Sequence, residues 1–246
     1  GAGKAAPSAA EAEAALEEAP YAGAPLSPTI TRTRTLPDGT RIVTVTDRRT
    51  GAVTARIELP PGMEEAVVTV PVKGAGPDTV AISVDREGNE TVVAWSVPVD
   101  GGIRLKVTGS VSLRFAQTQT GFDDVPADAW FAGGAAFTAA RALFRGTGGG
   151  SFSPDALMTR SMLITVLYRL DGEENGSGGG TWYSAAVDWA GAKGISDGAC
   201  LDDAVTREQL VTMLYRYAGS PEAAALAAEF PDAGELSPWA ADAAAW

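Results

Sequence analysis

The sequence predicts an α+β protein in which an N-terminal antiparallel all-β region, a hairpin or meander plus a small sandwich-like domain, precedes an all-α bundle of helical repeats. Three observations predict it. Apolar and polar residues alternate with period two from Thr29 to Phe115, the pattern of strands with one face turned inward. From Trp130 onward the apolar spacing becomes helical, and that helical stretch then recurs twice before the sequence stops.

Composition narrows the chemistry. The chain has 246 residues, 45% of them hydrophobic, enough for real cores. A formal net charge of −12 argues against nucleic acid and membrane surfaces, which are themselves polyanionic. With no histidine and a single cysteine, Cys200, no disulfide can close within the sequence. A Ser-His-Asp or Cys-His site and a histidine-ligated zinc are ruled out as well. Neither a cofactor nor a metal is expected, and no apolar run is long enough for membrane insertion. The missing initiator methionine fits a processed or truncated chain.

Residues 1–28, rich in Ala, Glu, Pro and Gly, read as a disordered or linker segment, with a helical turn or two between Ala9 and Glu18. The β region spans 29–118. Within it, 29–58 is a threonine-rich meander: Thr29, Thr31, Thr33 and Thr35 alternate with larger residues, Pro37-Asp38-Gly39 turns the chain, and Ile42, Val43 and Val45 continue it. A small β domain follows over 62–118, with strands expected at Ala66 to Val72, Val80 to Val84, Thr91 to Val97, Ile103 to Val107 and Val111 to Phe115. Trp95 is the expected centre of its core.

Residues 119–246 hold the repeats, 121–170, 171–219 and a partial 228–246. In the first, Trp130, Gly134, Phe137, Arg141 and Phe144 mark one helix. Gly146 to Gly150 then interrupts, and Met162, Leu163, Val166, Leu167 and Leu170 form the stripe of a second helix. In the second copy Trp182, Trp189 and Gly198 align with Trp130, Phe137 and Gly146 at one constant offset. Thr206-Arg207 aligns with Thr159-Arg160 at a smaller offset, so the second copy has a shorter loop, and the tails through Arg169 and Arg216 agree closely. Phe230-Pro231-Asp232 opens the third copy, which runs through Trp239 to Trp246. Helices this short cannot bury their stripes alone, so each copy needs the others.

In order, Phe122-Asp123-Asp124-Val125, Trp130, Gly146, Phe152-Ser153-Pro154 and Thr159-Arg160 resemble the signature of the S-layer homology family, surface-anchoring modules of bacterial cell envelopes. The resemblance covers roughly the C-terminal half. It implies a helical bundle of three repeats that binds a secondary cell-wall polymer, through pyruvylated sugars, or a peptidoglycan-linked glycan. An extracellular, wall-associated protein follows, its signal peptide removed or outside this sequence. The second copy departs from the pattern, with Asn175 to Gly180 in place of the Phe-Asp-Val opening and no Phe-Ser-Pro. A second reading makes the repeats structural only and lets the β region bind a surface-protein partner as an adhesive. A third places an enzyme upstream.

Candidate ligand-binding residues are Arg160, Thr159, Trp130, Asp124, Gly146, Arg207, Thr206, Trp182 and Gly198. Thr206, with Gln209 three positions on, has the capping-box pattern, and Thr159 is its repeat equivalent. Arg160 and Arg207 then fall in the first helical turn, where a cation opposes the helix dipole and wants an anion. Two kinds of anion fit: an internal carboxylate, Asp124 or Asp155 for Arg160 and Asp203 for Arg207, or a ligand carboxylate held two-pronged by the guanidinium. The helical spacing of Trp130, Trp182 and Trp239 favours core over ligand platform, and Gly146 and Gly198 supply positive φ. Asp124 and Asp232 are expected to cap the first helices of their repeats.

Overall fold

A computed structural model describes residues 27–118, 121–173, 180–223 and 230–246. The helical turns expected between Ala9 and Glu18 lie outside these residues.

Nine strands form the N-terminal part: β1 (Thr29–Thr35), β2 (Arg41–Asp47), β3 (Val53–Glu58), β4 (Glu65–Pro71), β5 (Thr79–Val84), β6 (Glu90–Val92), β7 (Ser96–Val99), β8 (Gly102–Thr108) and β9 (Val111–Gln117). They make a six-stranded sheet in the order β1-β2-β3-β9-β5-β6 and a three-stranded sheet in the order β4-β8-β7, and every pairing is antiparallel. Alternation decides which side chains meet between the sheets. Ile42, Ala55, Ile57 and Leu113 point inward from the larger sheet, and Val68, Val70, Ile103 and Leu105 meet them from the smaller. Because β3 pairs with β9, the threonine-rich strands continue the sheet that also holds β5 and β6.

Two details differ from the sequence expectation. The strand expected at Thr91 to Val97 is split: β6 stays in the large sheet, the chain crosses at Val93 to Trp95, and β7 joins the small one. Ser96 secures the crossing, its buried hydroxyl donating to the Val93 carbonyl at 2.7 Å. Trp95 therefore sits in the crossing and is 40% exposed, while Ile57, Val70, Ile103 and Leu105 occupy the centre. An indole at that bend has no inward-facing register to occupy.

The C-terminal part is helical: α1 (Ala132–Ala140), α2 (Arg160–Leu170), α3 (Ser184–Ala192), α4 (Arg207–Tyr217) and, after two 3₁₀ turns at Ala233–Glu235 and Pro238–Ala240, a short α5 (Ala241–Ala245). The buried face of α2 is rotated from the expected stripe: Leu163, Ile164, Leu167 and Tyr168 pack against Ala186 and Ala190 of α3, Ile195 and Met213 complete the cluster, and Met162 is left exposed.

Aligned residues make matching contacts. Trp189 meets Tyr168 edge-on at 5.6 Å between centroids, and Trp246 meets Tyr215, the equivalent pair, at 5.8 Å. Arg169 donates to the Leu143 carbonyl at 2.9 Å, and Arg216 to the Ile195 carbonyl at 3.4 Å. Arg141 lies over the Phe137 ring at 3.7 Å, and Lys193 over Trp189 at 5.5 Å.

Arg141 also joins the two parts of the molecule. It is only 2% exposed, and its guanidinium donates to the carbonyls of Ser96 (2.5 Å), Pro77 (2.8 Å), Thr79 (2.9 Å) and Phe137 (2.9 Å). Burial pulls its pKa down to about 10, so it remains charged at neutral pH. Beside it Ala140 packs on Val80 and Ile82, on the face of the large sheet opposite the sandwich core. Arg141→Ala leaves these carbonyls short of donors and opens a void. It is expected to lower unfolding free energy by about 3 kcal/mol, read as a shifted urea midpoint, with Arg141→Lys recovering only part because an ammonium has fewer donors than the four carbonyls take up.

Candidate functional site

The site begins with two threonines. Thr159 has extended backbone angles (φ −84°, ψ 164°), and its hydroxyl accepts from the Met162 amide at 3.2 Å, which caps α2. Thr206 does the same for α4 through the Gln209 amide, and the Gln209 side chain returns a bond to the Thr206 amide at 3.1 Å, closing the capping box. The segment before α2 then pairs with the loop before α4. The Val205 amide donates to the Met158 carbonyl (2.8 Å), the Arg160 amide to the Asp203 carbonyl (3.1 Å) and the Ser161 amide to the Leu201 carbonyl (2.9 Å). Amides that a helix start leaves without intrahelical acceptors are thus taken up by the next sequence copy, which fixes Arg160 against it.

The Arg160 side chain is 12% exposed. Its Nη2 donates to Asp197 Oδ1 at 2.8 Å and to the Ser196 hydroxyl at 3.3 Å, while its buried Nε has no hydrogen-bond partner among the described residues. It lines a cavity of about 200 Å³ together with Asp197, Gln209, Thr212, Arg216 and Trp239. Arg160, Arg216 and Trp239 come from the first, second and third sequence copies. Asp197 is held ionised by the Ala199 amide first and by Arg160 second, which lower its pKa below the usual aspartate value. That carboxylate, 72% exposed, pairs with Arg160, and Arg216 lines the same cavity. An anion entering the cavity would meet two arginines and the indole of Trp239.

Arg207 lies elsewhere. Its side chain is 86% exposed and pairs with Asp232 at 2.9 Å, at the rim of a separate, larger cavity of about 610 Å³ that also includes Thr206. Neither internal carboxylate proposed from sequence for Arg160 is its partner, because Asp197 fills that role. Asp203 bonds Arg160 through its backbone and makes no ion pair with Arg207.

Asp124 and Gly146 build the first copy's loop. Asp124 accepts from the amides of Phe152 and Ser153, both at 2.7 Å, instead of capping α1, whose N-cap is Phe131 without a side-chain bond. Asp232 likewise makes no side-chain cap. Gly146 has φ +71°, and a Cβ there would collide with the Ser151 carbonyl and the Phe122 ring. The loop so closed brings Phe152 against Phe122, Phe131 and Phe144. Gly198, with φ +73°, turns the chain next to Asp197 and donates to the Ser196 hydroxyl.

The tryptophans are not core. Trp130 is 94% exposed with its edge on Phe131, and Trp182 is 54% exposed against Tyr183. Of the three equivalent tryptophans, Trp239 lines the Arg160 cavity. The sequence reading missed Ser196, Asp197, Thr212 and Arg216 as site residues. For Arg216 a signal existed in its alignment with Arg169, whereas Asp197 belongs to a loop of different length from its counterpart. Among the described residues no group of Asp, Glu and Cys is arranged to hold a metal, and no helix is long and apolar enough to cross a membrane.

The Phe152 and Ser153 amides hold the Asp124 carboxyl below its ordinary value of 3.8. A lowered folded-state pKa stabilises the fold above the unfolded value, and the effect is lost as pH falls through the folded one. Asp124→Ala should therefore lower Tm at pH 7, and the gap to the unmodified protein should narrow in melts taken near about pH 2.

Comparison with known proteins adds one match. The family model of the S-layer homology domain matches residues 121–161, from the loop held by Asp124 to the first turn of α2 with Arg160. No curated protein and no solved structure matches the chain. Residues 121–161 thus match the S-layer homology domain, a module that generally anchors proteins to cell-wall polymers at the cell surface.

Proposed function

We propose that the protein is held to the bacterial cell wall by binding a pyruvylated sugar of a secondary wall polysaccharide in the cavity around Arg160. Residues 119–246 act as the binding part, and 29–118 as the β region that the binding part holds at the surface. The observation that carries this reading is the Arg160 guanidinium: largely buried, fixed by the pairing of two sequence copies, and lining a cavity that Arg216 and Trp239 also line.

A pyruvate ketal offers a planar carboxylate on a sugar ring. Guanidinium nitrogens bind such a carboxylate in parallel, and an indole face covers the apolar side of a ring. With a net charge of −12 the protein gains nothing from long-range attraction to an anionic polymer, so recognition has to come from local contacts. Asp197 fits this role as a gate. Well exposed and bonded through a single oxygen, it neutralises Arg160 in the free protein and can turn outward when a ligand carboxylate replaces it.

Arg160→Ala, folded as judged by circular dichroism, is expected to bind purified pyruvylated wall polysaccharide at least about tenfold more weakly in a sedimentation assay. Arg160→Lys should recover little, because an ammonium lacks the two-pronged geometry. Unchanged affinity in Arg160→Ala would remove this assignment.

A further inference from the structure

A further cavity, of about 340 Å³, lies where the sandwich meets the helices, and the family match does not reach it. One wall is Trp95, in the crossing between β6 and β7. The other is Asp171, immediately after α2, and Tyr217, the last residue of α4. Trp95 is 40% exposed although it stands beside a well-filled core.

The polar groups here are unevenly used. Asp171 Oδ2 accepts from Lys193 Nζ at 2.6 Å and from Trp189 Nε1 at 3.2 Å, whereas Oδ1 has only the Tyr217 hydroxyl at 3.5 Å, the limit of a hydrogen bond. Burial and the Asp171 charge push the Tyr217 pKa up to about 12, so the phenol keeps its proton and can donate. Both cations nearby are committed, Lys193 to Asp171 and Lys106 to Glu65 at 2.6 Å. An anionic ligand would face the carboxylate with no free positive charge, while an uncharged hydroxyl-bearing ligand would find an acceptor, a donor and a flat apolar ring.

We propose that this cleft binds an uncharged pyranose unit of a wall glycan, its C–H face on the Trp95 indole and a pair of hydroxyls shared between Asp171 Oδ1 and the Tyr217 hydroxyl. The volume is within the range of small-ligand sites, and clefts where two domains meet are common places for them. Such a unit occurs both in the glycan strands of peptidoglycan and in the backbone of a secondary polysaccharide. This site does not depend on the Arg160 reading, since its ligand carries no charge and its residues are separate.

The test titrates the full chain with the tetrasaccharide of N-acetylglucosamine and, separately, with wall polysaccharide stripped of pyruvate by mild acid, following nuclear magnetic resonance shifts. Binding of either probe that weakens about tenfold in Trp95→Ala and stays within about threefold in Trp95→Phe supports the site, and which probe binds identifies the source of the sugar. Because Trp95 is partly exposed, melting curves check that both variants fold. Absence of binding by the unmodified chain to both probes overturns the proposal, as does equal binding by Trp95→Ala.

Discussion

The buried guanidinium of Arg141 is the contact on which the rest of the arrangement depends. A cation taken out of water survives only where acceptors replace its hydration, and here backbone carbonyls from two strands, a strand-connecting segment and its own helix supply them. Lys193, its counterpart in the second copy, reaches back to Asp171 at the end of α2. Each cation thus engages whatever precedes its own helix: for Lys193 the first copy, for Arg141 the β-sandwich. The sandwich receives the end of α1 through Ala140 and Arg141.

From that fixed start the helices follow in sequence. The face of α2 that holds Leu163, Ile164 and Leu167 packs on α3, Tyr168 and Tyr215 receive the aromatic residue of the following copy, and the strand-like pairing of Met158 to Ser161 with Leu201 to Val205 fixes the backbone of Arg160. The Arg160 cavity is a product of all three copies, since its arginines and its indole come from different ones.

Period-two alternation and helical stripes were enough to place the β region before the helices, and the threonine caps of α2 and α4 could be read from spacing because capping is local chemistry. What depended on long-range pairing could not. Nothing near Trp95 marks the crossing from one sheet to the other, since it depends on Ser96 bonding back to Val93 while β7 finds β8. Arg141 reads as one more residue of a helical face, and only the folded sandwich supplies its carbonyls. Asp197 as the partner of Arg160 depends on how two copies with loops of different length come together. Trp130 shows the opposite error: helical spacing suggested burial, but it precedes α1 and, like Trp182 and Trp239, is exposed.

Whether a ligand carboxylate is received by the arginine cavity is read from the affinity of the unmodified chain for the same wall polysaccharide before and after removal of its pyruvate. Affinity is expected to fall at least about tenfold when the carboxylates are gone, leaving at most the weak contribution of uncharged sugar contacts. Equal affinity for the two polymers would contradict it.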